Sequence, residues 1–116
     1  MLSVSKRSMR HKSGRVKKMQ IKKDQYYIVR TNRAGVFFGK IKEQRKDEVV
    51  MTEVRKLWYW DGAAAVEQLA IDGTNKPSRC KFTVVIPEMA IAEPIQIIPC
   101  TDKAVKSING VAVWKE

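Results

Sequence analysis

The pattern of hydrophobic and polar residues divides the chain near Asp24. Residues 1–23 contain few apolar side chains and follow no persistent period, which is typical of a disordered arm. From Asp24 onward, runs of aromatic and β-branched residues alternate with turn residues, and that pattern predicts strands. We therefore predict a basic, flexible N-terminal arm over residues 1–23 and a single folded domain over residues 24–116.

About five short strands are predicted in the folded part, over residues 25–31, 36–41, 48–54, 81–86 and 92–98. Gly39 lies inside the second strand, where a glycine indicates a bulge or a close approach of neighbouring backbone. Pro94 has no amide hydrogen, so the last strand should begin at a sheet edge or on a bulge.

One or two short helices complete the predicted fold. The first is expected over residues 63–71, with Asp61 as its cap and Gly73 as its stop, because three apolar residues share one helical face, namely Val66, Leu69 and Ala70. The second is expected over residues 101–110, with a threonine cap and a glycine stop. The fold class is therefore α+β: a small, bent antiparallel sheet or open barrel with one buried face.

The net charge of +11 is concentrated in the N-terminal arm. Residues 1–23 hold nine Lys or Arg and no acid, which leaves 14 basic against 12 acidic residues in the rest of the chain. Any contact with nucleic acid is thus predicted to depend on the arm. Its candidate phosphate-binding residues are Lys6, Arg7, Arg10, Lys12, Arg15, Lys17 and Lys18.

Three interpretations of the arm remain open. It contacts phosphates, or it is merely solvated, or it precedes a true start at Met19, where the residues MQIKKDQYYIVRT read as the beginning of a domain.

No metal site, cofactor or membrane span is predicted. Cys80 and Cys100 lie at no metal-ligand spacing and His11 is the single histidine, so a zinc site lacks ligands. The two cysteines are expected to be free thiols in a reducing compartment. No apolar stretch reaches the length of a membrane span, and no apolar segment follows the basic N-terminus as in a signal peptide, so an intracellular or particle-borne protein is expected.

The consecutive aromatic residues Trp58, Tyr59 and Trp60 form the strongest candidate surface. Because neighbouring strand residues point to opposite faces, Trp58 and Trp60 should share a face that we expect to be core, with Tyr59 opposite and partly exposed. The structural interpretation is that the tryptophans anchor the core. The functional interpretation is that an exposed ring next to Arg55 binds a partner or stacks on a planar ligand.

A second candidate lies in the turn Asn32-Arg33-Ala34-Gly35, where backbone amides beside the Arg33 guanidinium suit a phosphate or a carboxylate. The same residues equally form an ordinary hairpin turn. No enzyme is predicted, because the acidic residues are scattered, no glycine-rich phosphate loop occurs, and the folded part contains no histidine to act as a general base.

Four segments resemble a family of small, uncharacterised proteins of tailed bacteriophages and prophages, which is a domain of unknown function. They are YYIVRTNRAGVFFGKI, RKLWYWDGAAAVEQLA, CKFTVVIP and IQIIPCTDKAVKSI. The LWYWDGA stretch is the most specific of these, and the resemblance extends from about Tyr26 to Trp114. It implies a phage setting, in the host cytoplasm or in the virion, and it implies no chemistry.

The leading functional hypothesis is a non-catalytic phage accessory protein that binds a host or phage protein. A protein partner is favoured over nucleic acid because the folded part is nearly neutral. One alternative is a minor virion component whose arm contacts DNA. A second alternative is a small-molecule-binding inhibitor of host defence signalling that uses exposed tryptophan rings and Arg33.

Overall fold

The computed structural model describes residues 20–116, so most of the predicted arm lies outside the described residues. The described part has six strands, two α-helices and one short 3₁₀ helix, which confirms the α+β class. In chain order the elements are β1 (Tyr26–Thr31), β2 (Val36–Arg45), β3 (Glu48–Tyr59), α1 (Val66–Asp72), the 3₁₀ helix (Pro77–Arg79), β4 (Lys81–Phe82), β5 (Ile86–Ala92), β6 (Pro94–Pro99) and α2 (Asp102–Asn109).

The strands form one antiparallel sheet in the order β4-β3-β2-β1-β6, and β5 also pairs with β3. The twelve-residue strand β3 organises this arrangement. One edge of β3 pairs with β2, whereas its other pairings are with β5 along its first part and with β4 near its end. The short strand β4 therefore lies beside the aromatic residues at the end of β3.

The sheet is strongly curled, and the connection at Glu93 shows this because it joins two strands that pair with different parts of the sheet. Strand β5 pairs with β3 and strand β6 pairs with β1, and Glu93 alone separates β5 from β6. The Glu93 amide donates to the Asp47 carbonyl at 2.9 Å, and the Glu93 carbonyl accepts from the Asn32 amide at 3.0 Å. Asn32 and Asp47 flank opposite ends of β2, so only a strongly bent sheet brings both to one residue.

Both faces of the sheet are buried, which differs from the single buried face that the pattern predicted. Ile28 belongs to a core under the two helices, whereas its neighbours Tyr27 and Val29 belong to a second core inside the curl of the sheet. Adjacent strand residues point to opposite faces, so these two clusters lie on opposite sides of the sheet. We call them the helix-covered core and the inner core. The curl supplies the second core, and for that reason β1 contains a run of buried residues instead of alternating ones.

The predicted bulge at Gly39 is confirmed. The register between β2 and β3 shifts between Phe38 and Lys40. A Cβ atom on Gly39 would lie 2.9 Å from the Thr52 carbonyl oxygen and 3.1 Å from the Val54 Cα atom. The backbones therefore approach closely here, and a side chain at this position would force them apart.

Helix α1 begins later than predicted. It starts at Val66 after an extended Ala65 that makes no side-chain cap, and it ends at Gly73 as expected, with φ of 74°. The Asp61 carboxylate instead accepts from the Gly62 amide at 2.8 Å, and this bond, followed by the contact with Arg79, lowers the pKa of Asp61. Asp61 is thus a turn residue and not a helix cap.

Helix α2 agrees with its prediction at both ends. The Thr101 hydroxyl accepts from the Ala104 amide at 3.1 Å, and Gly110 follows the last helical residue. Its buried residues, Ala104 and Ile108, pack into the helix-covered core.

The strand predicted over residues 81–86 is strand only at its two ends, and β5, which extends to Ala92, was not predicted. Strand β4 ends at Phe82, and β5 begins at Ile86 and continues to Ala92. Between them the Thr83 amide donates to the Lys56 carbonyl at 3.0 Å, so the chain stays beside β3 while it shifts along it. Pro94 begins the edge strand β6 beside a register shift in β1, as predicted.

Candidate binding surface

The side chains of Trp58 and Trp114 stack on each other at the surface. Their ring centroids are 4.9 Å apart with an interplanar angle of 24°, and the side chains are 53% and 44% exposed. Trp58 lies near the end of β3, and Trp114 reaches it because its amide donates to the Phe82 carbonyl of β4 at 2.9 Å. A stacked aromatic pair therefore faces solvent where β3 and β4 meet.

Lys81 places a positive charge against both rings. Its Nζ atom lies 5.4 Å from the Trp58 centroid and 5.5 Å from the Trp114 centroid, within cation–π range. Lys81 pairs across the sheet with Tyr59, which is 49% exposed. We call these four residues, Trp58, Tyr59, Lys81 and Trp114, the aromatic edge. Lys81 and Trp114 could not be predicted as site residues, because their contacts with Trp58 are long-range and no local spacing signals them.

The prediction that Trp58 faces the core is wrong, while the predicted exposure of Tyr59 is confirmed. Trp60 is partly buried against the helix-covered core. Leu57 is the β3 residue that fills that core, so Trp58 points to the opposite face. The pairing of β2 with β3 ends at Lys56, and the inner core does not extend to Trp58.

Arg55 is buried, so the expectation that it contributes to a surface site is not met. Its side chain is 2% exposed, and it donates hydrogen bonds to four backbone carbonyls, those of Phe82, Thr83, Ile108 and Val111, at 3.0 to 3.3 Å. Burial lowers the pKa of Arg55, but an arginine stays protonated in a protein. Arg55 joins β3, β4 and the end of α2 from inside the fold.

Arg33 is exposed and lies next to a carboxylate. Its Nε atom is 3.7 Å from the Glu93 carboxylate, in an ion pair whose partners are both largely solvent-accessible. Two amides of the same turn are already engaged, since Gly35 donates to the Thr31 hydroxyl and Asn32 donates to the Glu93 carbonyl. The structure therefore does not join Arg33 to the aromatic edge by any described contact.

Exposed valines follow or precede residues of the aromatic edge in the chain. Val84 and Val85 follow β4, and Val113, which directly precedes Trp114, forms a parallel bridge with Phe82; all three are exposed. Exposed apolar side chains in clusters are a feature of interaction sites.

A polar cavity of about 370 Å³ lies between α1 and α2. Ion pairing of Asp72 with Lys103, at 3.5 Å, closes one part of its rim. Inside it, the Thr74 amide donates to the Ser107 hydroxyl, which in turn donates to the Thr74 carbonyl. The remaining lining residues are Gly62, Gln68, Gly73 and Asn75. Its hydroxyls thus serve mainly to tie the loop after α1 to α2.

The thiols are free and buried, as expected for Cys80 and Cys100. Burial raises the pKa of Cys100 to about 12, so that thiol stays protonated at neutral pH. Within residues 20–116, no group of three or more His, Cys, Asp or Glu side chains is placed to hold a metal ion. None of the helices in the same range is both long and apolar enough to cross a membrane.

Comparison with known proteins gives one match. Neither curated proteins nor solved structures show a significant match to the chain. The family described as a domain of unknown function (DUF6948) matches residues 24–108, which cover β1 through most of α2 and include Trp58, Tyr59 and Lys81. The chain therefore belongs to this family of uncharacterised domains, DUF6948.

Proposed function

We propose that this protein is a non-catalytic accessory binding protein, in the phage setting that the sequence resemblance implies, and that it binds a host or phage protein through the aromatic edge. The stacked, half-exposed pair of Trp58 and Trp114 is the observation that carries this proposal. Large aromatic rings at the surface provide much of the binding energy in protein interfaces.

The surroundings of the rings favour a protein partner over nucleic acid. Val113 directly precedes Trp114 and is exposed, so it adds aliphatic surface next to the ring in the chain, which suits an apolar interface core. A surface that reads single-stranded nucleic acid combines rings with a positively charged groove, whereas residues 24–116 are nearly neutral.

The test is affinity purification of the tagged full chain from infected cells, with proteins and nucleic acids recovered from the same sample. We expect Trp58→Ala to lose the partner protein while the variant remains folded. Ile71→Ala is the matched control, because Ile71 is 52% exposed but lies on α1, outside the aromatic edge. Equal recovery of the partner by Trp58→Ala and wild type would contradict the proposal.

A second candidate function is supported by the charge distribution alone. The nine basic residues in residues 1–23 suit contact with packaged DNA, as in a minor virion component. Recovery of DNA, without a specific protein, in the same purification would favour this alternative.

A further inference from the structure

The C-terminal segment, residues 111–116, is joined to β4 at one isolated bridge. Val113 and Phe82 form a parallel bridge, and the Trp114 amide donates to the Phe82 carbonyl at 2.9 Å. Val111 is buried and its carbonyl accepts from Arg55, but every residue from 112 to 116 is exposed. The segment is thus anchored at its beginning and only superficially attached beyond it.

The remaining edge strands are protected against strand addition by proline. Strand β6 begins with Pro94 and ends with Pro99, and β5 contains Pro87 as its second residue. A proline cannot donate to a ladder, so an incoming strand loses hydrogen bonds at these positions. In the described part of the chain, β4 is the edge that already accepts an extended segment.

The family match separates the segment from the surface that it covers. Residues 24–108 match, so β4 and Trp58 lie within the family domain while the C-terminal segment lies beyond it. Trp58 and Lys81 thus lie within the matched range, and Trp114, which stacks on Trp58, lies outside it.

We propose that Trp58, Lys81 and the outer edge of β4 at Phe82 form a docking site for an extended peptide segment that carries an aromatic side chain, and that residues 112–116, with Trp114, occupy this site in cis. The partner's strand pairs in parallel with β4 at Phe82, and its aromatic ring replaces Trp114 on Trp58 and beside Lys81. Main-chain bonds to an exposed sheet edge provide affinity in such complexes, and side-chain contacts provide specificity. This inference rests on the proposed function, because it specifies the partner of the same surface.

The probe is the synthetic peptide Gly-Val-Ala-Val-Trp-Lys-Glu, which has the sequence of residues 110–116. It is titrated into the full chain and into Trp114→Ala, and binding is followed by NMR shifts of the Lys81 and Phe82 amides. We expect at least about tenfold tighter binding to Trp114→Ala, because the attached segment competes at a millimolar effective concentration in the wild type.

Two controls make the result specific to the ring stack. A peptide with alanine in place of its tryptophan should bind at least about tenfold more weakly, since it lacks the stacking ring. Combining Trp58→Ala with Trp114→Ala should remove binding of the original peptide. Trp114→Leu serves as a second variant, so that poor folding of Trp114→Ala does not leave the question open.

Absence of peptide binding to a folded Trp114 variant, or equal binding of the two peptides, would overturn the inference. These outcomes are distinct from failure of the proposed function. If Trp58→Ala loses the cellular partner although the peptide does not bind, only the peptide mode is wrong. If Trp58→Ala keeps the partner, the proposed function is wrong even where the peptide binds.

Discussion

The guanidinium of Arg55 donates to the carbonyl oxygen of Val111 at 3.0 Å, and this bond joins β3 to the beginning of the C-terminal segment. The same nitrogen, Nη1, also donates to the carbonyl of Ile108 at the end of α2. Arg55, which the sequence suggested to be a surface residue, is thus buried and holds α2 and the C-terminal segment against β3. The position of Trp114 depends on it.

Replacing Arg55 should destabilise the fold strongly. In Arg55→Met the carbonyl oxygens of Thr83 and Val111 lose the Arg55 donor, whereas those of Phe82 and Ile108 still accept from backbone amides. Each buried acceptor left unpaired costs about 1–3 kcal/mol, so we expect a loss of about 2 kcal/mol or more in the free energy of unfolding. A denaturant melt measures it. Lys56→Ala is the control, and a loss from Arg55→Met no larger than that of the control would contradict this role.

Neighbouring residues of β3 should differ sharply in their contribution to stability. Leu57 is 2% exposed in the helix-covered core, so Leu57→Ala should cost about 2–5 kcal/mol. Trp58→Ala removes a half-exposed stack and should cost only about 0.5–1.5 kcal/mol. Denaturant melts of the two variants under one set of conditions provide the comparison. A Trp58→Ala loss as large as that of Leu57→Ala would place the ring in the core after all.

Much of the fold could be predicted from local patterns. Four strands, both helices and the bulge at Gly39 follow from residue type and spacing within short windows, and so do the stops at Gly73 and Gly110. The split between β4 and β5 could not be predicted in this way. Residues 81–86 are uniformly strand-like, and only the pairing of β3 with two successive partners separates them.

The candidate site was predictable only in part. The cluster of aromatic residues was evident, and the exposure of Tyr59 followed from alternation. The orientation of Trp58 could not be predicted, because it depends on where the inner core ends. The curl of the sheet sets that limit, and no local pattern reports it. Trp114 enters through a contact with residue 58, and a separation of that length leaves no local signal.

Stability should fall in acid partly because of Glu53. Its carboxylate accepts from Lys40 Nζ at 3.1 Å and from the Tyr26 hydroxyl at 2.9 Å, and these bonds lower the pKa of Glu53 in the folded state. A folded pKa below the unfolded value, about 4.3, gives stability that is present above that pH and lost as the pH falls through the folded pKa. Unfolding free energies between pH 7 and pH 3 should therefore decline less for Glu53→Gln than for wild type.

The control for this pH dependence is Glu116→Gln, which removes an exposed carboxylate at the end of the chain. It should leave the decline unchanged. Identical pH profiles for Glu53→Gln and wild type would show that the bonds to Lys40 and Tyr26 do not stabilise the folded state.

Any affinity for duplex DNA should depend on the N-terminal basic residues. A variant that lacks residues 1–18 loses seven Lys and Arg residues, whereas the net charge of the whole chain is +11. Each phosphate contact contributes about 0.9 to the slope of log affinity against log salt, so the slope should fall by at most about six in the shortened variant. Binding titrations of both proteins at several salt concentrations measure this. The melting temperature should stay within about two degrees, because the removed residues precede the predicted domain and are not expected to add to its core. DNA binding by the shortened variant that resists salt would instead place the nucleic-acid site within the folded domain, and it would favour stacking of bases on the aromatic edge over docking of a protein there.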